Sequence, residues 1–149
     1  ICKKKNAFNM NSYKSIKIQF SGWHFWGDKN NLNNIEYPGI YILAKFKSNI
    51  SKKVDLNDKR IVYIGETCSS LKKRLKQFNR SAFKGSRGHS GGMSYRKYFN
   101  DKGDNLYVAI FPVVDLADNV RHLFIRYLER KIILDYAMKN GSQPILNKK

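Results

Sequence analysis

Two short runs of strand-forming residues, Gly39 to Phe46 and Arg60 to Gly65, each carry a tyrosine and a glycine, and they fix the kind of core this chain can build. Branched and aromatic side chains suit a pleated, half-buried surface, so both runs predict strands, and their closeness in sequence predicts an antiparallel pair. Between Tyr41 and Tyr63 lie 21 residues, including the polar and basic stretch Lys45 to Arg60, which is expected as a long hairpin loop. Closure cost grows only logarithmically with loop length, so an insertion of this size is tolerated.

After Thr67, Ser69 and Ser70 offer a helix N-cap, and Leu71, Leu75 and Phe78 recur at i, i+4 and i+7 on one helical face. Arg74 falls on that same face between Leu71 and Phe78, whereas Lys72, Lys73 and Lys76 point outward. An inward arginine needs an anionic partner, either a structural carboxylate or a ligand. Residues 79 to 98 read as a Gly-rich basic loop, with Gly85, Gly88, Gly91 and Gly92 among Arg80, Lys84, Arg87, His89, Arg96 and Lys97. Asn105 to Val114 predicts a third strand. Asp115 to Asn140 predicts a long helix, opening in the Asp115/Asp118 acidic turn and stopping at Asn140-Gly141. Upstream, Ser15 to Phe20 alternates and predicts a half-buried strand, ahead of the aromatic patch Trp23-His24-Phe25-Trp26 and a polar loop, Asp28 to Asn34. Residues 1 to 15, with Lys3, Lys4 and Lys5 in a row, read as a solvated terminus.

At 149 residues the length fits one domain with a real core. Lys and Arg number 29 against 11 acidic residues, a net charge of +18, and the 13% aromatic content places that charge on a folded body. A polyanion is the expected partner, bound in a salt-sensitive way. The basic side chains Lys72, Lys73, Lys76, Arg80, Lys84, Arg87 and Arg96, with His89, are the candidate DNA contacts. The aromatic patch either packs on the sheet or stacks on bases, and the long hairpin is either inert surface or an added DNA-contacting finger. Cys2 and Cys68 have neither metal-ligand spacing nor a disulfide framework, which fits a reducing, intracellular location. The longest apolar stretches, such as Val108 to Val114, fall far short of the roughly 18 residues that span a bilayer, and no signal pattern opens the chain. It begins on Ile1, as a trimmed sequence would.

The tripeptides Gly39-Ile40-Tyr41 and Tyr63-Ile64-Gly65, then Arg74, Glu129 in the long helix, and Asn147 in Pro144-Ile145-Leu146-Asn147, occur in an order that resembles the GIY-YIG nuclease superfamily. Either tripeptide alone is weak evidence, but five matches in the family's order are strong. The resemblance implies an α/β fold with a small core, residues 39 to 147, built on a mainly antiparallel sheet flanked by helices. Residues 1 to 38 and the long hairpin are additions to that core. It also implies a phosphodiester hydrolase acting on DNA, with double-stranded DNA the expected substrate, and using Mg²⁺, or Mn²⁺ in its place. Its site residues would be Tyr41, Tyr63, Arg74, Glu129 and Asn147. The chain departs from the pattern twice. Its gap between the tripeptides is about twice the usual one, and Phe78 stands where many members carry a histidine one helical turn after the arginine.

These residue types suit that chemistry. Glu129 lies among Ile125, Ile132 and Ile133 on its helix, so its carboxylate is costly to ionise without a cation, and one carboxylate with waters and phosphate oxygens is ordinary Mg²⁺ coordination. Pairing with Arg126 or Arg130 is the structural alternative. Arg74 can clamp two phosphoryl oxygens at once. By resemblance, Tyr41 activates or orients the attacking water, Tyr63 bonds water or phosphate beside it, and Asn147 buttresses the site. A free phenol titrates near about 10, so the tyrosine role needs positive charge nearby. As a lone loop histidine, His89 is expected to be a DNA contact or to have no role, unless it swings in to contact phosphate or water in place of the missing histidine. Pro112, Asp115 and Glu129-Arg130-Lys131 do not make a PD-(D/E)xK nuclease site, which needs its Glu and Lys projecting together from a strand. Here both lie in the predicted helix, where i and i+2 diverge by about 200°. Restriction-type cleavage is the favoured role, with repair or mobile-element nucleases and a non-catalytic nucleic-acid-binding protein as alternatives. A monomer carries one site, so breaking a duplex requires a homodimer on DNA or two successive cuts.

Overall fold

The computed structural model describes residues 16–148. Residues 1–15, which include Cys2, the Lys3 to Lys5 run and Ser15, lie outside the described residues, as does Lys149. The elements are β1 (His24–Phe25), a 3-10 helix (Trp26–Asn31), β2 (Gly39–Lys45), β3 (Ile61–Thr67), α1 (Leu71–Phe83), α2 (Ser90–Tyr98), β4 (Leu106–Pro112) and α3 (Asp118–Asn140). The strands form one sheet in the order β1-β4-β2-β3, antiparallel at every pairing.

Side-chain alternation along β2 sets the layers. Tyr41 and Leu43 join Leu71, Leu75, Phe78 and Tyr95 in a core beneath α1 and α2. Ile40, Ile42 and Ala44 join Ile125, Leu128 and Ile132 of α3 on the opposite face. The chain is therefore α/β, an antiparallel sheet flanked by helices. In the β2–β3 ladder Leu43 faces Tyr63 while Ala44 faces Ile61, so Val62 is an extra residue on β3 and the strand bends there.

The order of strands leaves β3 at an edge, with backbone groups that need partners. Residues 142–148 supply them. The Leu146 N–H donates to the Val62 carbonyl at 2.9 Å. Asn147 clasps Ile64 from both sides, donating Nδ2–H to its carbonyl at 2.8 Å and accepting its N–H at Oδ1 at 2.9 Å.

Four expectations need correction, and the first is the polar loop Asp28 to Asn34, whose first half lies in the 3-10 helix Trp26–Asn31. Residues 16–20 form no strand. Ile16 and Phe20 pack on the core but Ile18 is 45% exposed, so the alternation has two anchors and a gap. The segment is held instead at Ser21, whose N–H donates to the Ile110 carbonyl and whose Oγ accepts the Ile110 N–H. Residues 79 to 98 are not a loop, because α1 runs on to Phe83 and α2 occupies Ser90–Tyr98. The long helix begins at Asp118, three residues later than expected. The aromatic patch is divided: Trp26 is buried against Phe78 and donates Nε1–H to Asn79 at 2.9 Å, whereas Phe25 stays exposed beside Tyr107.

Helix α2 is fixed to the sheet by a polar network at its C-terminal end. Asp101 accepts from the Tyr95 hydroxyl at 2.6 Å and the Gly103 N–H at 2.8 Å, and it pairs with Lys45 at the end of β2. Lys45 also lies over the Phe99 ring, 4.5 Å from its centroid. Replacing Asp101 by Ala strands the Tyr95 hydroxyl and the Lys45 ammonium together. Urea unfolding should show a loss of about 2–3 kcal/mol, and a loss under about 0.5 kcal/mol would mean the network contributes little.

Candidate active site

Tyr41 on β2 lies directly across the ladder from Gly65 on β3, with Tyr63 diagonally beside it, the two ring centroids 5.8 Å apart. A Cβ at position 65 would fall 2.5 Å from Tyr41 Cζ, 2.6 Å from its hydroxyl and 2.7 Å from Tyr63 Cε1. Glycine is required because the two phenols occupy the volume any other side chain would need. The exposures differ in a way that matters. Tyr41 is 0% exposed, whereas Tyr63 is 8% exposed and lines a cleft with Ser90, Ser94, Glu129 and Asn147. Tyr41 is therefore sealed from bulk water, and Tyr63 is the phenol at the opening.

His89 is the largest departure from expectation. It is 0% exposed and cannot act as a surface DNA contact. It is the N-cap of α2, its Nδ1 accepting the Gly92 N–H at 3.1 Å. Its Nε2 lies 2.7 Å from the Tyr41 hydroxyl. Phe78 packs edge-on against the imidazole, with ring centroids 5.2 Å apart. A second glycine makes room here as well: a Cβ on Gly91 would lie 2.6 Å from Tyr63 Cζ and 3.1 Å from His89 Cε1. Burial, and after it the positive Arg74, push His89 down to about 3, so the ring is neutral across the physiological range.

Arg74 is half-buried on α1, its Nη1 donating to Gln77 at 3.1 Å. Its Nε–H is buried and has no acceptor among the described residues. The guanidinium is close enough to lower both phenols, though burial outweighs it and raises each, Tyr41 well above the ordinary value. Glu129 reaches the cleft from α3 on the other side of the sheet, passing the β3 edge. Its carboxyl is raised, chiefly by burial and further by Glu66, while Arg130, with Nε 3.4 Å from Oε2, pulls it down. Asn147 lines the same cleft, yet both ends of its amide are engaged with Ile64, so it braces β3.

The fold thus brings together Tyr41, Tyr63, Arg74, Glu129 and Asn147 from β2, β3, α1, α3 and the segment after α3. Lys72, Lys73, Lys76, Arg80, Lys84 and Arg87 are exposed along α1 and the turn beyond it, with Lys72 paired to Glu36 at 3.0 Å, and Arg96 is half-buried on α2. Ser90 and Ser94 were not anticipated as cleft residues. Their i, i+4 spacing would have pointed to them once a helix was recognised there. Among the described residues no three His, Cys, Asp or Glu side chains gather as a metal cluster, and no helix is long and apolar enough to cross a membrane. Comparison of the chain with protein-family models, curated proteins and solved structures finds no match in any of the three.

The neutral imidazole carries a pH signature. The unfolded chain takes up a proton at His89 near pH 6.5, and the folded chain refuses it until about 3. Stability contributed by this group is full above pH 6.5 and is lost as the pH falls through that window, up to about tenfold in the folding equilibrium per pH unit. Urea unfolding between pH 7 and pH 4 should therefore fall more steeply for the wild type than for His89→Gln. Parallel curves would show that His89 is charged in the folded state.

Proposed function

We propose that this chain is a metal-dependent DNA endonuclease of the GIY-YIG kind, hydrolysing phosphodiester bonds. The observation that supports it most is the buried Arg74 Nε–H without an acceptor, placed beside two tyrosines, one of which lines a cleft together with a carboxylate from the opposite layer. A guanidinium so placed is suited to an anion that enters the cleft. The +18 charge supplies long-range attraction for a phosphate backbone, and the exposed lysines and arginines of α1 extend that surface.

Each residue then has a role that its surroundings suit. Arg74 binds phosphoryl oxygens and answers the charge that builds on them. Asn147 keeps β3, and with it Tyr63, in place at the cleft. Glu129 fits as the holder of Mg²⁺ or Mn²⁺: its carboxylate is part-buried, near Glu66, and compensated among the described residues by Arg130. When bound, such a cation would polarise a phosphoryl oxygen and acidify water. Restriction-type cutting is the favoured role, because the N-terminal residues 16–31 and the hairpin pack on the core and keep recognition within one chain. Duplex breakage would use two copies on DNA or two successive cuts. The observation favouring a non-catalytic nucleic-acid-binding protein is the burial of Tyr41, which keeps that phenol away from water.

Glu129→Gln should retain DNA binding and lose metal-dependent cleavage of supercoiled plasmid by about a thousandfold. Mg²⁺ or Mn²⁺ should raise the Tm of the wild type and leave that of Glu129→Gln unmoved. Unchanged cleavage by this variant would remove the metal-site assignment, and DNA binding by a wild type that never cuts would establish the binding protein instead. Arg74→Lys keeps the charge but loses the planar fork, and it should cut at least about tenfold more slowly. Wild-type rates for it would reduce Arg74 to a scaffold residue.

A further inference from the structure

We propose that Arg130 is the exchangeable counter-ion of the metal-binding carboxylate: it neutralises Glu129 in the metal-free protein, gives way when a divalent cation binds there, and then contacts a DNA phosphate from the cleft wall. The inference rests on the nuclease reading of the same cleft, because it takes Glu129 as the residue that holds Mg²⁺ or Mn²⁺.

Two arginines lie close to Glu129 in the chain, Arg126 and Arg130, and the fold pairs it with the second, Nε standing 3.4 Å from Oε2. The two partners are placed very differently. The Glu129 side chain is 14% exposed and that of Arg130 is 82% exposed. On the same helix Ile125, Leu128, Ile132 and Ile133 are all buried. A carboxylate set that deep is costly to ionise without a positive neighbour. Its neighbour is nevertheless held loosely, because the separation exceeds the about 2.7–2.9 Å of a charge-assisted hydrogen bond. An exposed arginine gains little from such a pair and recovers rotamer freedom on leaving it. The contact therefore joins an anion fixed by its surroundings to a cation that can turn away.

Both residues line the cleft, together with Tyr63, Ser90 and Asn147. A divalent ion on this carboxylate would stand at close quarters with the guanidinium, and like charges repel most strongly where water is partly excluded. Arg130 then swings off Oε2 but stays on the cleft wall, where its planar fork matches the oxygens of an incoming phosphate. Arg74 reaches the same region from α1, on the opposite layer of the sheet, so the two guanidinium groups approach the backbone from different sides. The exchange couples the two ligands. A cation on Glu129 releases Arg130 to DNA, and DNA that holds Arg130 leaves Glu129 to the cation, so each strengthens the other by the same factor. Lys131 provides the comparison. It carries the same charge one residue further along α3, is paired with Asp135, and projects about 200° round the helix from Glu129.

Mn²⁺ binding to the DNA-free protein, followed by the loss of the free-ion EPR signal, tests the exchange. Arg130→Gln should bind Mn²⁺ about threefold tighter than the wild type or better, while Lys131→Gln stays within about 1.5-fold. Equal affinities in the wild type and Arg130→Gln overturn the proposal, and so does an equal gain in Lys131→Gln, which would show a general effect of net charge. Plasmid cleavage at saturating Mn²⁺ tests the transfer to phosphate. There Arg130→Gln should raise KM about threefold or more relative to both the wild type and Lys131→Gln. An unchanged KM overturns the proposal. If neither the wild type nor Arg130→Gln takes up Mn²⁺, Glu129 is no metal site, and the nuclease reading falls together with the proposal. If both take it up equally, the proposal falls and the nuclease reading stands. Should the wild type bind Mn²⁺ and never cut, the nuclease reading fails, and the affinity for duplex DNA in Mn²⁺ takes the place of KM with the same expected ratio.

Discussion

A side chain at position 65 would have to share space with the Tyr41 ring, and the layer beneath α1 and α2 is organised around the room that glycine leaves. Because Gly65 faces Tyr41 across the ladder, the two tyrosine rings share one patch of sheet, tilted 45° to each other, and His89 packs edge-on against both. Gly91 lets α2 approach within contact of Tyr63 and His89. The Lys45–Asp101–Tyr95 network then fixes the other end of α2 to β2. Losing any one of these features would leave the helix docked at one end only.

The polar groups under α2 are held in competition between burial and charge. Burial favours neutral phenols and a neutral imidazole, while Arg74 favours phenolates and opposes an imidazolium. Histidine is thus driven the same way by both influences, and the tyrosines are pulled in opposite directions. On the other layer, Glu129 is raised by burial and by Glu66. Tyr63 and Glu129 line one cleft, and the Arg74 guanidinium, with its unsatisfied donor, bears on both phenols from the side of α1.

Much of this could be read from the chain. Strands β2 and β3, helix α1 and most of α3 follow from local periodicity, and Leu71, Leu75 and Phe78 sit in the core as their spacing requires. Helix α2 was hidden because Ser90-Gly91-Gly92 is poor in helix propensity, and what stabilises it is tertiary: a histidine cap and glycines that allow contact with Tyr63 and with the Phe78 carbonyl. The burial of His89 follows from that helix and was hidden with it. The contrast between Tyr41 and Tyr63 was hidden for another reason. Both occupy strand positions on one face, and only the order of strands, with β3 at the edge, decides which of them reaches the cleft.

The clasp between Asn147 and Ile64 joins positions 83 residues apart. A polypeptide emerging from a ribosome acquires Tyr41, Tyr63 and Arg74 well before the residue that braces β3, and Glu129 shortly before it. Until synthesis passes Asn147, the edge strand lacks that brace and the cleft has no wall on that side. This side of the cleft is thereby completed only when residue 147 is in place, by a contact that local sequence cannot supply.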